Sequence, residues 1–296
     1  MRTGSYIFAP PYPFVPGYEA VGVVDKLGPG VTSLRVGQRV AGLLVHGGAE
    51  EYVVRKESAW VPVEPDDLPA DQVVALVLNY VTAYQAIHRC GLVKPGQTAL
   101  VTTANGGVGL AMVELLVGMG VRVLAACGSR HHDALREAGA EPVPDSRSGT
   151  PVDVSVRRVV KGGVDVSFDG VGGVYAMECL RATRVGGRLV GFGFAGTQDK
   201  RGNFSNLKGV PGFLTYFIVA PLRLRRGTFY GITAAYRSNP KPFRDDFAAL
   251  CKLLSAGRVR PRIARRFGLL EFRDAEALLE KGGVNGKIVL LRESAP

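Results

Sequence analysis

Cysteine, histidine and tryptophan are all scarce: the 296 residues include 4 Cys, 4 His and 1 Trp. Cys90, Cys127, Cys179 and Cys251 lie far apart and form no C-x-x-C pair. That argues against a disulfide framework and against a four-cysteine zinc site. As isolated thiols they suit small, buried apolar positions. His46, His88, His131 and His132 fall into no metal-ligand spacing, so no metal is expected. Long apolar runs are missing too. The longest, Val210 to Leu224, is interrupted by Pro211, Pro221 and Arg223 and is too short and broken to span a bilayer. The opening residues show no basic, apolar, small-residue leader pattern, and a reducing, cytoplasmic setting is the expectation. No internal repeat or low-complexity tract stands out.

Basic residues, by contrast, are in excess. There are 37 Lys and Arg against 26 Asp and Glu, a net charge of +11. Such an excess can mark a partner that is a nucleic acid or an anionic surface. The cations are dispersed, however. The densest clusters, Arg223 to Arg226 and Arg258 to Arg266, carry no interleaved aromatics on which bases would stack. Nucleic acid is therefore not the expected partner. With 46% hydrophobic residues the chain can bury a sizeable core, and its length suits two domains or one domain with a large insertion.

The most informative stretch is Thr103-Ala104-Asn105-Gly106-Gly107-Val108-Gly109. It lies between an apolar run, Ala99 to Thr102, and a helix-like run, Leu110 to Met119. Strand, glycine-rich turn and helix together form the context of a dinucleotide site. Glycines let the backbone approach a diphosphate, and the free N–H groups at the helix start face its charge. The spacing is G-G-x-G rather than the full G-x-G-x-x-G, and alone it is a weak signal. A second strand, Val121 to Ala126, follows. At its end an NAD site would place Asp or Glu for the ribose 2′-hydroxyl. Here Cys127-Gly128-Ser129-Arg130-His131-His132 offers no carboxylate before Asp133. A serine hydroxyl and an arginine fork suit a 2′-phosphate, so NADPH is expected rather than NADH. The bland alternative is that Arg130 and the histidines only open a solvated helix.

Residues from Tyr6 to about Pro65 read as short strands among Gly and Pro, which suggests a small barrel. The candidates are Gly17 to Val24, Val36 to Val40 and Ala49 to Val54. Helices are predicted at Ala70 to Leu78 and Thr82 to Arg89. The middle alternates strand and helix: a helix at Asp133 to Ala138, a strand at Val164 to Asp169, a helix at Tyr175 to Thr183 and a strand at Gly187 to Gly193. This alternation implies an α/β fold with a doubly wound parallel sheet, whose ligands bind beyond the carboxyl ends of the strands. Phe194 to Gly227 reads as an irregular insertion with an apolar centre. Packing on a sheet edge or partner subunit and a lid over a substrate pocket both remain open for it. A strand is expected at Phe229 to Ile232 and a helix at Phe243 to Leu254. Strand, helix and strand then follow at Ile263 to Phe267, Asp274 to Glu280 and Lys287 to Leu291.

Several local strings, taken in order, resemble the medium-chain dehydrogenase/reductase superfamily, in particular its zinc-independent quinone oxidoreductase branch. They are Pro13 to Glu19, Leu34 to Val40, Leu78 to Tyr84, Ala104 to Gly109, Gly186 to Val190 and Gly286 to Leu290. The resemblance implies a Rossmann domain inserted in a partial GroES-like β-barrel domain. The catalytic domain would span 1–84, the NADPH-binding domain 85–236, and 237–296 would return to the catalytic domain. Met1 to Tyr6 aligns by resemblance with an interior segment of the family. About fifty residues of opening barrel strands, including the family's substrate-side Asn and Asp, would precede it. Where zinc-dependent relatives carry a histidine ligand before Glu19, this chain has Tyr18, a poor zinc ligand at neutral pH.

By the same resemblance, Thr82 would sit beside the nicotinamide, Asn79 would be cofactor-binding, and Asn105, Gly106, Gly107, Val108 and Gly109 would hold the diphosphate. Ser129 and Arg130 would meet the 2′-phosphate. Phe192 and Gly193 would lie along the cofactor, and Asn285 and Lys287 would close over it. Plainer roles exist for some: Thr82 as a helix cap, Asn285-Gly286 as a turn, Lys287 as a solvated edge residue. Tyr6 and Tyr80 are the candidate catalytic hydroxyls that would support negative charge on the substrate oxygen, although packing would equally account for either. The expected activity is hydride transfer from NADPH to a small quinone or enone. An enoyl-thioester reductase and a non-catalytic nucleotide-binding module are the alternatives. A homodimer paired through the strand near Phe229 is the expected assembly.

Overall fold

The protein is described by a computed structural model covering residues 10–197 and 205–292. The chain divides into two compact units, 1–81 with 233–296, and 82–232.

The first unit opens with β1 (Glu19–Val23), β2 (Arg39–Leu43) and β3 (Val61–Pro62), which form an antiparallel sheet in that order. No strand forms at Ala49 to Val54, contrary to the expectation from the sequence. Tyr52 and Val54 are exposed. The amides just before them are taken by an earlier loop instead, Gly47 by Val15 at 2.7 Å and Ala49 by Pro16 at 3.0 Å. A short segment without a sheet partner has nothing to hold it extended.

Helix α1 (Ala70–Ala75) runs on through wide π-helical turns at Leu76–Tyr80, then α2 (Val81–Gln85), then further π turns at Ala86–Gly91. The two separate helices expected here are one helical run, because no Gly or Pro interrupts Ala70 to Cys90.

The second unit carries a six-stranded, wholly parallel sheet. Its strands are β4 (Thr98–Thr102), β5 (Arg122–Cys127), β6 (Glu141–Pro144), β7 (Val164–Asp169), β8 (Thr183–Gly191) and β9 (Arg226–Phe229). The spatial order is β6-β5-β4-β7-β8-β9, so the winding reverses between β4 and β7, where doubly wound folds place their ligands. Helices α3 (Gly107–Gly118), α4 (His132–Glu137), α5 (Val152–Val159) and α6 (Tyr175–Ala182) connect the strands. The core packs Leu100, Leu124, Val156, Leu180, Leu189 and Tyr216.

Strand β6 and helix α5 gave no legible signal. Strand β6 contains Pro142 and Pro144 and survives because it is an edge strand, bonded to β5 on one side only. The expected strand at Phe229 to Ile232 lies three residues earlier, at β9. Its pairing with β8 runs from Arg188↔Arg226 to Gly191↔Phe229, and the backbone of an edge strand can be supplied by polar residues as well as apolar ones.

Phe194 to Gly227 is not irregular throughout. A helical segment runs through α7 (Asn206–Leu214), π turns at Thr215–Val219 and α8 (Ala220–Leu222). Thr215, Tyr216 and Ala220 point into the sheet-side core.

The chain returns to the first unit through α9 (Ile232–Ser238), α10 (Lys241–Ser255), β10 (Ile263–Gly268), α11 (Phe272–Lys281) and β11 (Lys287–Leu291). Helix α10 buries Phe243, Phe247, Leu250, Cys251 and Leu254, the spacing of a single apolar face. Strands β10 and β11 pair in parallel. A part-buried ion pair between Glu19 and Lys287 joins β1 to β11. Replacing Glu19 by Gln leaves the Lys287 ammonium without its counter-charge in a largely enclosed site. The expected loss is about 3 kcal/mol of stability, read as a lower denaturant midpoint with an unchanged slope.

A dinucleotide-type crevice at the switch point

The turn after β4 begins with Thr103 in a left-handed conformation, φ +50°, uncommon for a β-branched residue. Its carbonyl accepts from the Gly106 amide at 2.9 Å, which closes the turn and sets Gly106 as the extended residue before α3. No side chain caps α3. Its first helical bond is from the Leu110 amide to the Gly106 carbonyl, at 2.8 Å. The N–H groups of Gly107, Val108 and Gly109 precede that bond and point out of the helix start, the arrangement that attracts an anion. Gly109 is where the helix comes closest to the turn. A Cβ there would lie 2.3 Å from the Thr103 carbonyl oxygen, so only glycine permits the approach.

Across the switch point, Thr102 ties β4 to β7. Its hydroxyl donates to the Phe168 carbonyl at 3.2 Å and accepts from the Gly170 amide at 2.9 Å. Gly170 packs against Thr103 so closely that a Cβ would sit 2.4 Å from the threonine oxygen. Asp169, at the end of β7, is fully buried. Its Oδ1 accepts from the amides of Val171 (2.8 Å) and Gly172 (3.0 Å), and its Oδ2 from the Tyr216 hydroxyl (2.7 Å). Burial holds the Asp169 carboxyl above the ordinary aspartate range, while the Tyr216 hydroxyl and the two amides pull it back down. Burial raises the Tyr216 phenol as well, with the Asp169 charge adding to it. The Phe192 amide donates to the Asp169 carbonyl at 2.8 Å, which brings the turn after β8, including Gly193, beside the turn after β7.

The turn after β5 holds Ser129 and Arg130, both exposed. Arg130 Nε lies 3.0 Å from His131 Nε2, and the His131 amide donates to the Gly128 carbonyl at 3.0 Å. The Ala104 amide reaches the Ala126 carbonyl at 3.3 Å, which holds the turns after β4 and β5 next to each other.

Among the expected site residues, Asn105, Gly106, Gly107, Val108, Gly109, Ser129, Arg130, Phe192 and Gly193 thus gather on the turns after β4, β5 and β8. Thr82, also in this unit, is 5% exposed, and its Oγ1 has no hydrogen-bond partner. A sealed hydroxyl without a partner is an unpaid desolvation that a bound group would relieve. Asn79, Tyr80, Asn285 and Lys287 belong to the first unit. Tyr80 is buried and Asn79 half-buried in the same π turns. Asn285 Oδ1 is buried without a partner, and Lys287 is paired with Glu19. Tyr6 lies outside the described residues.

Thr102, Asp169, Gly170 and Tyr216 were given no site role from the sequence. Asp169-Gly170-Val171-Gly172-Gly173, a second glycine-rich turn after a strand, is the signal that could have found Asp169 and Gly170. Nothing local marks Tyr216.

The described residues fit a nicotinamide dinucleotide: uncapped amides at a glycine turn, an unpartnered Thr82 hydroxyl, and a cationic residue with no carboxylate after β5. Tyr18 hydrogen-bonds Thr233, and no three His, Cys, Asp or Glu residues converge among the described residues.

Residues 138–290 match the zinc-binding dehydrogenase family, and residues 1–65 match the alcohol dehydrogenase GroES-like domain. A quinone oxidoreductase-like protein 2 homolog from Nematostella vectensis is 30% identical over 292 residues, 97% of this chain and 76% of that protein. A quinone oxidoreductase from Pseudomonas syringae pv. Tomato DC3000 superposes with a TM-score of 0.82 at 25% identity, covering 98% of this chain and 86% of that one. A mycobacterial structure complexed with NADPH superposes with a TM-score of 0.78 at 26% identity, covering 96% and 84%.

Two outcomes follow from this geometry. Gly109→Ala drives a methyl into the Thr103 carbonyl and costs about 1–3 kcal/mol; nucleotide affinity should fall with it in a fluorescence titration, and an unchanged affinity would show that the turn has slack. The second concerns pH. The folded-state value of Asp169 lies above its unfolded value, so its contribution is complete below the unfolded carboxyl range and is lost as pH rises through the raised folded value. Asp169→Asn keeps the acceptor but cannot titrate. Denaturant unfolding across pH should show wild type losing stability through that window relative to the variant, and parallel curves would contradict the assignment.

Proposed function

The chain belongs to the quinone oxidoreductase-like branch of the medium-chain dehydrogenase/reductase superfamily, and we propose that it is an NADPH-dependent oxidoreductase of quinones or activated alkenes conjugated to carbonyls. The observation that supports this reading best is the trio of uncapped amides, Gly107, Val108 and Gly109, at the switch point. Beside them a turn carries Ser129 and Arg130 and no carboxylate.

When bound, the cofactor supplies the hydride. The protein's part is holding and polarising. The Gly107 to Gly109 amides face the diphosphate, with the helix dipole adding to their pull. Arg130 exchanges its neutral contact with His131 for a charged one with the 2′-phosphate, and Ser129 donates its hydroxyl to the same group. Asn105, Phe192 and Gly193 line the turns along which the dinucleotide lies. Thr82 faces the nicotinamide end, where its unpartnered hydroxyl acquires a partner. The family resemblance assigns Asn79, Asn285 and Lys287 to the cofactor as well. On the substrate side, the hydroxyl of Tyr6 or Tyr80 supports the developing oxyanion. A quinone needs little acid help because its reduced anion is resonance-stabilised; an enone must also take a proton at carbon.

A homodimer that pairs through β9 and a cytoplasmic setting belong to the same reading. Among the described residues β9 is bonded to β8 alone, and no helix is long and apolar enough to cross a membrane.

The test is discrimination between the two nicotinamides. Wild type should bind NADPH at least about tenfold more tightly than NADH. Arg130→Ala should remove about 1.5–3 kcal/mol from NADPH binding and leave NADH nearly unaffected. Equal losses for both cofactors, or a preference for NADH, would overturn the 2′-phosphate assignment. NADPH oxidation with a quinone, an enone and an enoyl thioester then ranks the substrates, and tight binding with no turnover on any of them would favour a nucleotide-binding module.

A further inference from the structure

The residue that follows β9, Tyr230, makes two contacts inside the second unit. It is 7% exposed. Its amide donates to the carbonyl of Gly191, the last residue of β8, at 2.7 Å. Its hydroxyl donates to Gln85 Oε1 at 2.6 Å. Gln85, the last residue of α2, is 3% exposed, and 145 positions separate the two partners. One side chain therefore reaches from the backbone where β8 leads into Phe192 and Gly193 to the helical run that carries Thr82. The far end of that run is set on the sheet by packing alone: a Cβ at Gly91 would lie 2.9 Å from the ring of Phe168 on β7.

Thr82 and Gln85 stand three residues apart in α2, the spacing that puts two side chains on one face of a helix. Both are buried, yet the Gln85 carboxamide is bonded while Thr82 Oγ1 has no partner. The Tyr230–Gln85 bond is not needed to fill space. Phe and Met would occupy much the same volumes, and replacing both partners of a buried hydrogen bond by apolar groups of like shape can be nearly neutral for stability. What a buried hydroxyl–carboxamide bond adds is direction and a fixed distance. Here the distance fixed is that between the turn after β8 and the helix face that presents the Thr82 hydroxyl.

We propose that Tyr230 is a positioning residue for the nicotinamide end of the cofactor: through Gln85 it holds Thr82 in register with Phe192 and Gly193. The inference rests on the reading of the crevice as a nicotinamide dinucleotide site. It places no atom of Tyr230 against the cofactor. All three side chains are buried within the second unit, and none has to be reached from solvent. The diphosphate and the 2′-phosphate are assigned to other turns, those after β4 and β5. A defect at Tyr230 should therefore be felt at the nicotinamide and not at the phosphates.

The experiment titrates two ligands against the full chain: NADPH, and 2′-phosphoadenosine diphosphate ribose, which carries the same phosphates and no nicotinamide. Tyr230→Phe keeps the ring and removes the hydroxyl. Gln85→Met removes the acceptor from the other end of the same bond. Each should weaken NADPH about tenfold and leave the nicotinamide-free ligand nearly unchanged, and binding of that second ligand reports that the variant is folded. Thr82→Val should lower NADPH affinity too, and adding Tyr230→Phe to it should cost much less than Tyr230→Phe costs alone, because both changes act through one hydroxyl; independent effects would multiply. A ratio of the two affinities that stays at the wild-type value in both bond variants would overturn the inference and leave the cofactor reading in place. So would losses that multiply in the double variant, or equal losses for the two ligands, which mark a bond that only stabilises the fold. Wild type that binds neither ligand would overturn the cofactor reading, and the inference with it.

Discussion

The second unit depends on one hydroxyl, that of Thr102. Parallel strands whose outgoing turns leave toward opposite faces of a sheet open a gap between them, and something must hold its floor. Thr102 donates to the Phe168 carbonyl and accepts from the Gly170 amide, so the last residue of β4 is stitched to the end of β7 where the winding reverses. The Thr103 turn, the approach of Gly109 and the packing of Gly170 are all measured from that stitch. A shift of a few tenths of an ångström there would close either the helix start or the turn after β7, since both approaches already leave no room for a Cβ.

Charge is arranged around the same crevice with economy. The acid at the end of β7, Asp169, has both oxygens occupied, one by backbone amides and one by Tyr216. It serves to hold a turn and to anchor the helical segment of residues 206–222 and offers nothing to an incoming anion. The end of β5 has no carboxylate before Asp133, and Arg130 there is exposed. The crevice therefore presents amides and a guanidinium toward solvent. In the first unit the arrangement differs: Lys287 pairs with one oxygen of Glu19 while the other is buried without a partner, and Tyr18 is bonded to Thr233.

Tyr216 links two features that look unrelated in the chain. Its ring packs against Phe229 and its hydroxyl reaches Asp169, so the helical segment of residues 206–222 is fastened to the turn after β7. The aromatic cluster of Phe194, Phe213 and Phe229 adds apolar packing to that single polar tether.

By itself the sequence determined four of the six strands of the second unit and the glycine turn after β4. Buried parallel strands read as short apolar runs, and β4, β5, β7 and β8 were visible for that reason; the glycine turn was visible because close backbone approach leaves few alternatives to glycine. The ends of the chain's return were equally legible, with β11 at the expected residues, because α11 and β10 switch cleanly between helical and alternating periods. Tertiary structure alone decided the rest. Strand β6 carries two prolines and exists only because β5 supplies a bonded edge; Ala49 to Val54, expected as a strand, pairs with no strand among the described residues and is not one. Thr102, Asp169 and Tyr216 come from three distant parts of the chain, and their chemistry appears only when the fold brings them within hydrogen-bond reach. Periodicity records how a segment meets its surroundings on average; which distant atom a hydroxyl or carboxylate faces is set by packing, and no local pattern encodes it.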